Sequence, residues 1–374
     1  MKRFITFGSI DQFRTTIKNV QHTAQYVRYD EVEDIQIMDR SAKMPIVVAT
    51  ASEKIHGTNA AVCFSNEDDF WVQSRKNIIT PEKDNAGCAF AAMQNKDYWM
   101  DIITALSFEH EIDLDKYVIS VFFEWSGGNI QKKSAVSGLD KRAIIFQHFK
   151  VSPLEPVIGN DGAETPESAR WLETQGEYVI CEGEFGMTWV AREEVGIHNI
   201  MNAQTWNFEI DFETPLLSQN QFIELVEKVI EPNSPIGKQM GVEGNVGEGA
   251  VFTFMYKETM HRFKVKGEEH SVSKVKTLKP VDNEKEQLKI DIATKVTPGW
   301  RLEQMYAEVF DTINGGLGSV QGTGDFIKAV NKDILKEDSD IIADAGLEPK
   351  EVFAKTQQIT RRWLSEQLDR EASL

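Results

Sequence analysis

Through its first three quarters the chain is built of short runs in which apolar and polar residues alternate. Phe70 to Arg75 and Arg262 to Lys266 alternate with period two, which predicts half-buried strands. Pro45 to Thr50 is apolar and β-branched, and Asn59 to Phe64 resumes the pattern after Gly57. Tyr117 to Trp125 and Ala143 to Phe149 are continuous enough in apolar character to be buried strands. Helical spacing is confined here to Tyr98 to Leu106 and to Ser218 to Val229, where Phe222, Leu225 and Val229 share a face. Past Lys279-Pro280 the period changes. Val281 to Glu286 is polar and reads as a hinge or linker. Arg301 to Thr312, Asp325 to Leu335 and Pro349 to Leu368 then follow the helical repeat, and Val352, Phe353, Ile359, Trp363 and Leu364 build one apolar face of the last segment. The pattern predicts an α+β fold in two parts, a larger domain over 1–278 and a small all-helical domain over 279–374. A length of 374 residues accommodates both.

Composition changes this picture in one respect. Hydrophobic residues at 41% and charged residues at 27% are ordinary for a globular chain. The balance of 41 Lys+Arg against 59 Asp+Glu gives −18. Such a charge excludes a protein that coats itself in nucleic acid by bulk attraction, and leaves room only for a local basic groove. The 3 cysteines, Cys63, Cys88 and Cys181, form no C-x-x-C pair, which argues against a disulfide scaffold and a thiolate zinc site. No run of 18 apolar residues occurs and the N-terminus lacks a signal-peptide pattern, so a membrane span is not expected and a cytoplasmic location is. The histidines outside the segment described next show no metal-ligand spacing. The run Gly315-Gly316-Leu317-Gly318 lacks a preceding strand and a Lys-Ser/Thr ending, and reads as an inter-helix loop rather than a phosphate loop.

The segment richest in chemistry is Glu53-Lys54-Ile55-His56-Gly57-Thr58-Asn59, at the turn between two expected strands. A lysine held there on rigid scaffold can face a cleft. Its free amine, with a pKa of about 10.4, becomes a nucleophile where burial or neighbouring cations favour the neutral form. Gly57 would let backbone approach a phosphate closely. An ordinary surface lysine before a hairpin glycine is the plain alternative on these residues alone.

Lys54-x-His56-Gly57-Thr58-Asn59 preceded by Glu53 closely resembles the nucleotidyl-acceptor motif of the polynucleotide ligases, in the variant typical of RNA ligases. The specific resemblance is to the phage type 2 RNA ligases and their relatives, the RNA-editing ligases. Further motifs follow in order: Arg75 in Ser74-Arg75-Lys76-Asn77, Glu124 in Phe123-Glu124-Trp125-Ser126-Gly127, Phe146 in Ile144-Ile145-Phe146, Glu248-Gly249-Ala250-Val251, and Lys264-Val265-Lys266. A Lys-x-Lys or a Glu-Gly alone would carry no weight, but the ordered set spans 53–266.

The resemblance implies a covalent nucleotidyltransferase fold, with ATP-grasp-like antiparallel sheets flanking a nucleotide cleft and a C-terminal domain that engages RNA. It implies attack of Lys54 on the α-phosphate of ATP, with Lys264 and Lys266 on the phosphates, and Glu248 as the ligand of Mg²⁺ or Mn²⁺. By the same resemblance Arg75 and Glu124 hold phosphate and ribose, Phe146 stacks on adenine, and His56 and Asn59 contact phosphate and ribose. Ile55 lies within the nucleotide-binding motif. Glu53 would orient the base through its carbonyl, with its side chain on a sugar or a metal-bound water. AMP would then pass to a 5′-phosphate RNA end, with nicks in duplex RNA the expected substrate, and a 3′-hydroxyl would seal the strand. A monomer is expected, in a host cell's cytoplasm if the gene is a phage's.

Several positions depart from the family pattern. Thr253 stands where a lysine is common, Gln147 where Asp is common, and Lys76-Asn77 replaces Thr-Gly. Glu243-Gly244 competes with Glu248-Gly249 for the metal carboxylate, and Glu248 is preferred because Ala250 to Phe254 continues as a strand. Phe146 could equally be core, Glu124 a turn residue, and Lys264 and Lys266 an exposed sheet face. A DNA ligase or mRNA guanylyltransferase is disfavoured by His56 and by the lack of a recognisable C-terminal OB-fold. A non-catalytic nucleotide- or RNA-binding protein is the alternative from another class. Basic charge is concentrated at Lys132, Lys133, Lys141 and Arg142, and from Lys257 to Lys279, so weak and salt-sensitive RNA binding is expected.

Overall fold

A computed structural model describes residues 2–30, 34–84, 86–130, 134–155, 169–181, 184–267, 278–312 and 316–372. The basic positions Lys132, Lys133, Lys274 and Lys276 lie outside the described residues. The chain forms two compact units. The first comprises Met1–Thr16, Val48–Glu209 and Gln221–Leu278, and the second Ile17–Val47, Ile210–Asn220 and Lys279–Leu374. Residues 279–374 therefore share the second unit with two segments from earlier in the chain. The architecture is mixed α and β.

Strands and helices are numbered along the chain. A five-stranded sheet has the order β1 (Asp11–Gln12), β17 (Thr259–Lys266), β16 (Gly249–Tyr256), β4 (Ile46–Glu53), β15 (Trp206–Asp211). Its centre is the antiparallel hairpin β16–β17, in which Gly249 pairs with Lys266 and Thr253 with Arg262. The two-residue turn Lys257-Glu258 takes positive φ at both positions, 46° and 61°, the twist that a tight hairpin requires. β4 runs antiparallel to β16, placing Glu53 opposite Ala250.

The second, eight-stranded sheet has β5 (Thr58–Ser65), β6 (Asp69–Ser74), β8 (Tyr117–Ser126), β10 (His148–Pro153) and β11 (Arg170–Glu173) along its main path, ending on β7 (Ile78–Ile79). β9 (Arg142–Ile145) pairs with β8 and with β14 (Ile197–Asn199). Alternation along β5 divides the core as period two demands. Ala60 and Val62 face helix α3 (Lys96–Glu109), whose Trp99, Ile102, Ile103 and Leu106 are buried. Ala61 and Cys63 face the opposite side, where Ile5, Trp71 and Phe122 are buried.

Two expectations are corrected. Ala143 to Phe149 is not one strand: β9 ends at Ile145 and β10 starts at His148. At the break, the Phe146 amide still donates to the Phe122 carbonyl on β8, while the Gln147 carbonyl turns to accept from the Thr174 amide. Val281 to Glu286 is not a linker throughout, because helix α6 (Asn283–Val296) begins within it. Asp282 caps that helix by accepting from the Lys285 amide at 2.9 Å, and the acidic first turn suits the helix dipole.

The helices of the second unit include α7 (Gly299–Val309), α8 (Thr323–Glu337) and α10 (Pro349–Ala372). They bury Leu302, Met305, Phe326, Val330, Val352 and Leu364, with Phe353, Ile359 and Trp363 packed against that core, as the apolar face of the last helix predicts. Arg301 is buried at 2% exposure, bonded by Nε to Asp333 at 2.8 Å and by Nη1 to Asp338 at 2.5 Å. A buried charge of this kind is tolerable only with such partners.

Candidate active site

Lys54 follows the last residue of β4, and its amide donates to the Gly249 carbonyl at 2.7 Å. That bond carries the β4–β16 ladder one residue further and fixes the lysine at the mouth of the hairpin. Gly249, with φ +147°, admits this approach: a Cβ there would stand 2.1 Å from the Val265 carbonyl oxygen. Gly57 has a similar role on the other side, where a Cβ would meet the Trp125 carbonyl oxygen at 2.4 Å. The two glycines let β5–β8 and β16–β17 close around the lysine without a side chain between.

At the centre lies Glu248, 3% exposed. Its Oε2 is 2.6 Å from Lys54 Nζ and 3.2 Å from His56 Nδ1, and its Oε1 bonds Lys266 Nζ. Burial alone would raise this carboxyl. The bond from His56, the charge of Lys54, and bonds from Lys266 and Lys54 outweigh burial and hold it well below the usual range. Glu243, the rival in the sequence, is exposed. Lys264 is lowered by burial and then by Lys266, Lys54 and Arg75, with Glu248 opposing. The predicted cations therefore act on one another across one small region, with Arg75 itself exposed.

Glu124 on β8 pairs in register with Asn59 on β5. Burial pushes its carboxyl up to about 7, Lys54 opposes, and Glu248 adds to the rise. Among the described residues no three His, Cys, Asp or Glu side chains gather as a metal site. Glu248 and Glu124 are the two carboxylates here whose oxygens could serve a hard divalent ion that keeps most of its waters.

A cleft runs from Lys54. Lys54, Ile55 and Glu124 line one part, and Phe146, Thr253 and Arg262 also line it. Phe146 is thus a wall of the cleft as well as a neighbour of the core. Its ring lies 5.2 Å from that of Phe7.

No family model matches the chain, and no curated protein matches it in sequence. Solved structures do resemble it, and they are RNA ligases. A Naegleria gruberi RNA ligase mutant with AMP and Mn aligns at 13% identity and a TM-score of 0.36, over 72% of this chain and 58% of that one. Another mutant of the same ligase, with ATP and Mn, gives 14% and 0.37 over the same shares. An archaeal ATP-dependent RNA ligase aligns at 10% identity and a TM-score of 0.28, over 99% of this chain and 66% of that one. The chain thus spans somewhat more than half the length of the Naegleria ligase chains.

One predicted residue takes a different part from the one its sequence position suggests. The Glu53 carboxylate is buried at 3% exposure, accepting from Ser234 Oγ at 2.6 Å and from the Ile236 amide at 3.0 Å. It anchors the start of helix α5 (Pro235–Gln239), so its side chain is not spread toward a sugar or a metal-bound water. Burial raises it to about 7 from an ordinary 4.5, with Ile236 and Ser234 opposing. A carboxyl whose folded pKa exceeds its unfolded one stabilises the fold at low pH, and that stability is lost as pH rises from about 4.5 through about 7. Glu124 has the same sign. Glu53→Gln is therefore expected to lose less stability between about pH 5 and pH 8 than the parent, read from urea unfolding midpoints. An equal or larger loss would show that Glu53 is not the titrating group.

Arg262 and Phe7 line the cleft, with Trp171 packed against Arg262, and the motifs single out none of the three. The guanidinium of Arg262 lies 4.0 Å from the Phe7 ring centroid and 4.2 Å from that of Trp171. Alternation along β17 could have pointed to Arg262, which shares the face of Lys264 and Lys266. The aromatic partners come from distant segments and left no local trace.

Proposed function

We propose that the chain is an ATP-dependent RNA ligase of the covalent nucleotidyltransferase type, working through an adenylate on Lys54. The observation that carries this reading is the 2.6 Å approach of Lys54 Nζ to a buried glutamate that also bonds Lys266, beside a cleft that Lys54 and Phe146 both line. In the resting cleft Glu248 keeps the Lys54 amine fixed in position. Lys264 and Lys266 supply positive charge where a triphosphate would lie, and positioning with charge neutralisation is the main demand of phosphoryl transfer. Lys54 Nζ attacks the α-phosphorus, a P–N bond forms, the bond to the β-phosphate oxygen breaks, and pyrophosphate departs. The lysine ammonium must lose a proton before or during this step. A terminal 5′-phosphate oxygen then attacks the adenylate phosphorus, the P–N bond breaks to release the Lys54 amine, and a 3′-hydroxyl attacks the 5′-phosphorus of the resulting anhydride, displacing AMP to close the phosphodiester. A divalent ion, held by Glu248 with Glu124 near, would supply charge for the leaving pyrophosphate.

Resemblance to the phage type 2 ligases supports nicked duplex RNA as the substrate, an adenylyltransferase domain over about 1–278 and a helical RNA-engaging part beyond it. The test is a sealing assay with Mg²⁺ and ATP on nicked duplex RNA, nicked duplex DNA and single-stranded RNA. A joined product on nicked RNA is the expected result. A protein that takes up label from α-labelled ATP yet seals none of the three would remove the ligase assignment.

A further inference from the structure

The second unit has a pocket of its own. Its lining includes Arg40, Arg361, Arg362, Glu213, Gln25 and Gln358, all within that unit, and none of them lines the cleft beside Lys54. Three separated segments of the chain meet there. On helix α10 the buried positions Val352, Thr356, Thr360 and Leu364 hold one face against the core. Gln358, Arg361 and Arg362 fall at i, i+3 and i+4 on another face, where Gln358 and Arg361 are exposed. Arg40 arrives from the first segment of the unit and Glu213 from its second.

Charge in this pocket is lopsided. Three guanidiniums face one carboxylate, so the lining carries +2 in a chain of −18. Glu213 is already committed: Oε1 bonds Arg362 Nη2, and Oε2 accepts from the Met44 amide at 3.4 Å. That pair fixes Arg362 in the wall. The acidic groups nearest in sequence are spent on their own loops. Asp39 accepts from the Ser41 amide at 2.8 Å, and Asp211 from the Glu213 amide at 2.8 Å. Among the described residues Arg40 and Arg361 form no ion pair, unlike Arg301 with its two aspartates in the same unit. Like charges gathered without counter-ions repel, and a bound anion relieves that repulsion.

We propose that this pocket binds a phosphate of the RNA backbone, other than the one being joined, with Arg40 and Arg361 as its free guanidinium donors. The proposal rests on the reading of the chain as an RNA ligase. Guanidiniums match the non-bridging oxygens of a phosphodiester in forked geometry. The glutamine amides beside them both donate and accept, as a neighbouring ribose 2′-hydroxyl does. Such a contact positions a strand without reading its sequence.

The test measures binding of fluorescent nicked duplex RNA to the full chain by anisotropy, over a range of salt. Arg40→Gln with Arg361→Gln removes both free guanidiniums and leaves the Arg362–Glu213 pair in place. Binding should weaken by about tenfold or more, and the slope of log affinity against log salt should flatten by about one. Lys295→Gln with Lys332→Gln alters two exposed lysines of the same unit outside the pocket. It removes the same charge and should change both quantities little. Labelling from α-labelled ATP without RNA should run at the parent rate in both variants. At matched ionic strength, inorganic phosphate should displace RNA from the parent better than chloride does, and lose most of that advantage on the arginine variant. Equal weakening in the two variants, or an arginine variant that binds RNA as the parent does, would overturn the proposal. So would a parent that takes up label yet binds no RNA. Phosphate competition lost without loss of RNA affinity would give the pocket to a free anion instead. The binding arm needs no ATP, so a parent without label would sink the ligase reading while RNA affinity still decides the pocket.

Discussion

Lys54→Ala is expected to take up no label from α-labelled ATP and Mg²⁺ under conditions where the parent chain is labelled. On the proposed mechanism the amine is the atom that forms the bond to phosphorus, and among the described residues no other lysine takes its position. Lys266 Nζ is bonded to the opposite oxygen of Glu248, and Lys264 starts two residues back along β17. Lys54→Arg separates nucleophile from charge: it keeps a cation near Glu248 but offers a guanidinium that does not deprotonate. It should also remain unlabelled while holding nucleotide in a filter assay. Label that persists in either variant would move the covalent site elsewhere.

Glu248→Ala is expected to divide binding from chemistry. The carboxylate is the shared anion of Lys54, Lys266 and His56. Without it the cations face one another unscreened in a partly buried site, and breaking such a pair costs about 3–5 kcal/mol of stability. A triphosphate would find a more positive cleft, so retention of ATP without divalent ion should hold or rise. Adduct formation should fall by about 10²–10³, the scale seen when one preorganised electrostatic group is removed from a reacting centre. Thermal unfolding and labelling kinetics on the same preparation check both halves. A variant that labels at the parent rate would show that Glu248 has no part in the chemistry.

Much of this site could be seen in the chain because its residues sit on regular local structure. Lys54 and Gly57 occupy a turn between strands, Lys264 and Lys266 alternate on one strand, and Glu248 was separable from Glu243 by the strand that follows it. What could not be seen depends on contacts between remote segments. Arg262 acquires its setting from Phe7 and Trp171, which no window of sequence joins to it. Glu53 looked like a ligand-facing carboxylate because nothing near it in sequence shows that Ser234 and Ile236 will fill its lone pairs. The polar start of α6 was mistaken for linker because a capped helix whose inner face is only partly apolar has a weak period; Asp282 followed by an acidic first turn was the available clue. The single strand expected over Ala143 to Phe149 failed because apolar character says nothing about where ladder partners end.

The pleat of β17 works as a ruler. Because every second side chain faces the cleft, its three cations fall at fixed steps, and the strand encodes a length as well as a charge. A substitution alters one mark on that ruler. A single inserted residue between Arg262 and Lys264 would turn one end of the scale away from the other, leaving every residue present and the measure lost. The spacing along β17 is therefore as much a requirement of the site as the charges it carries.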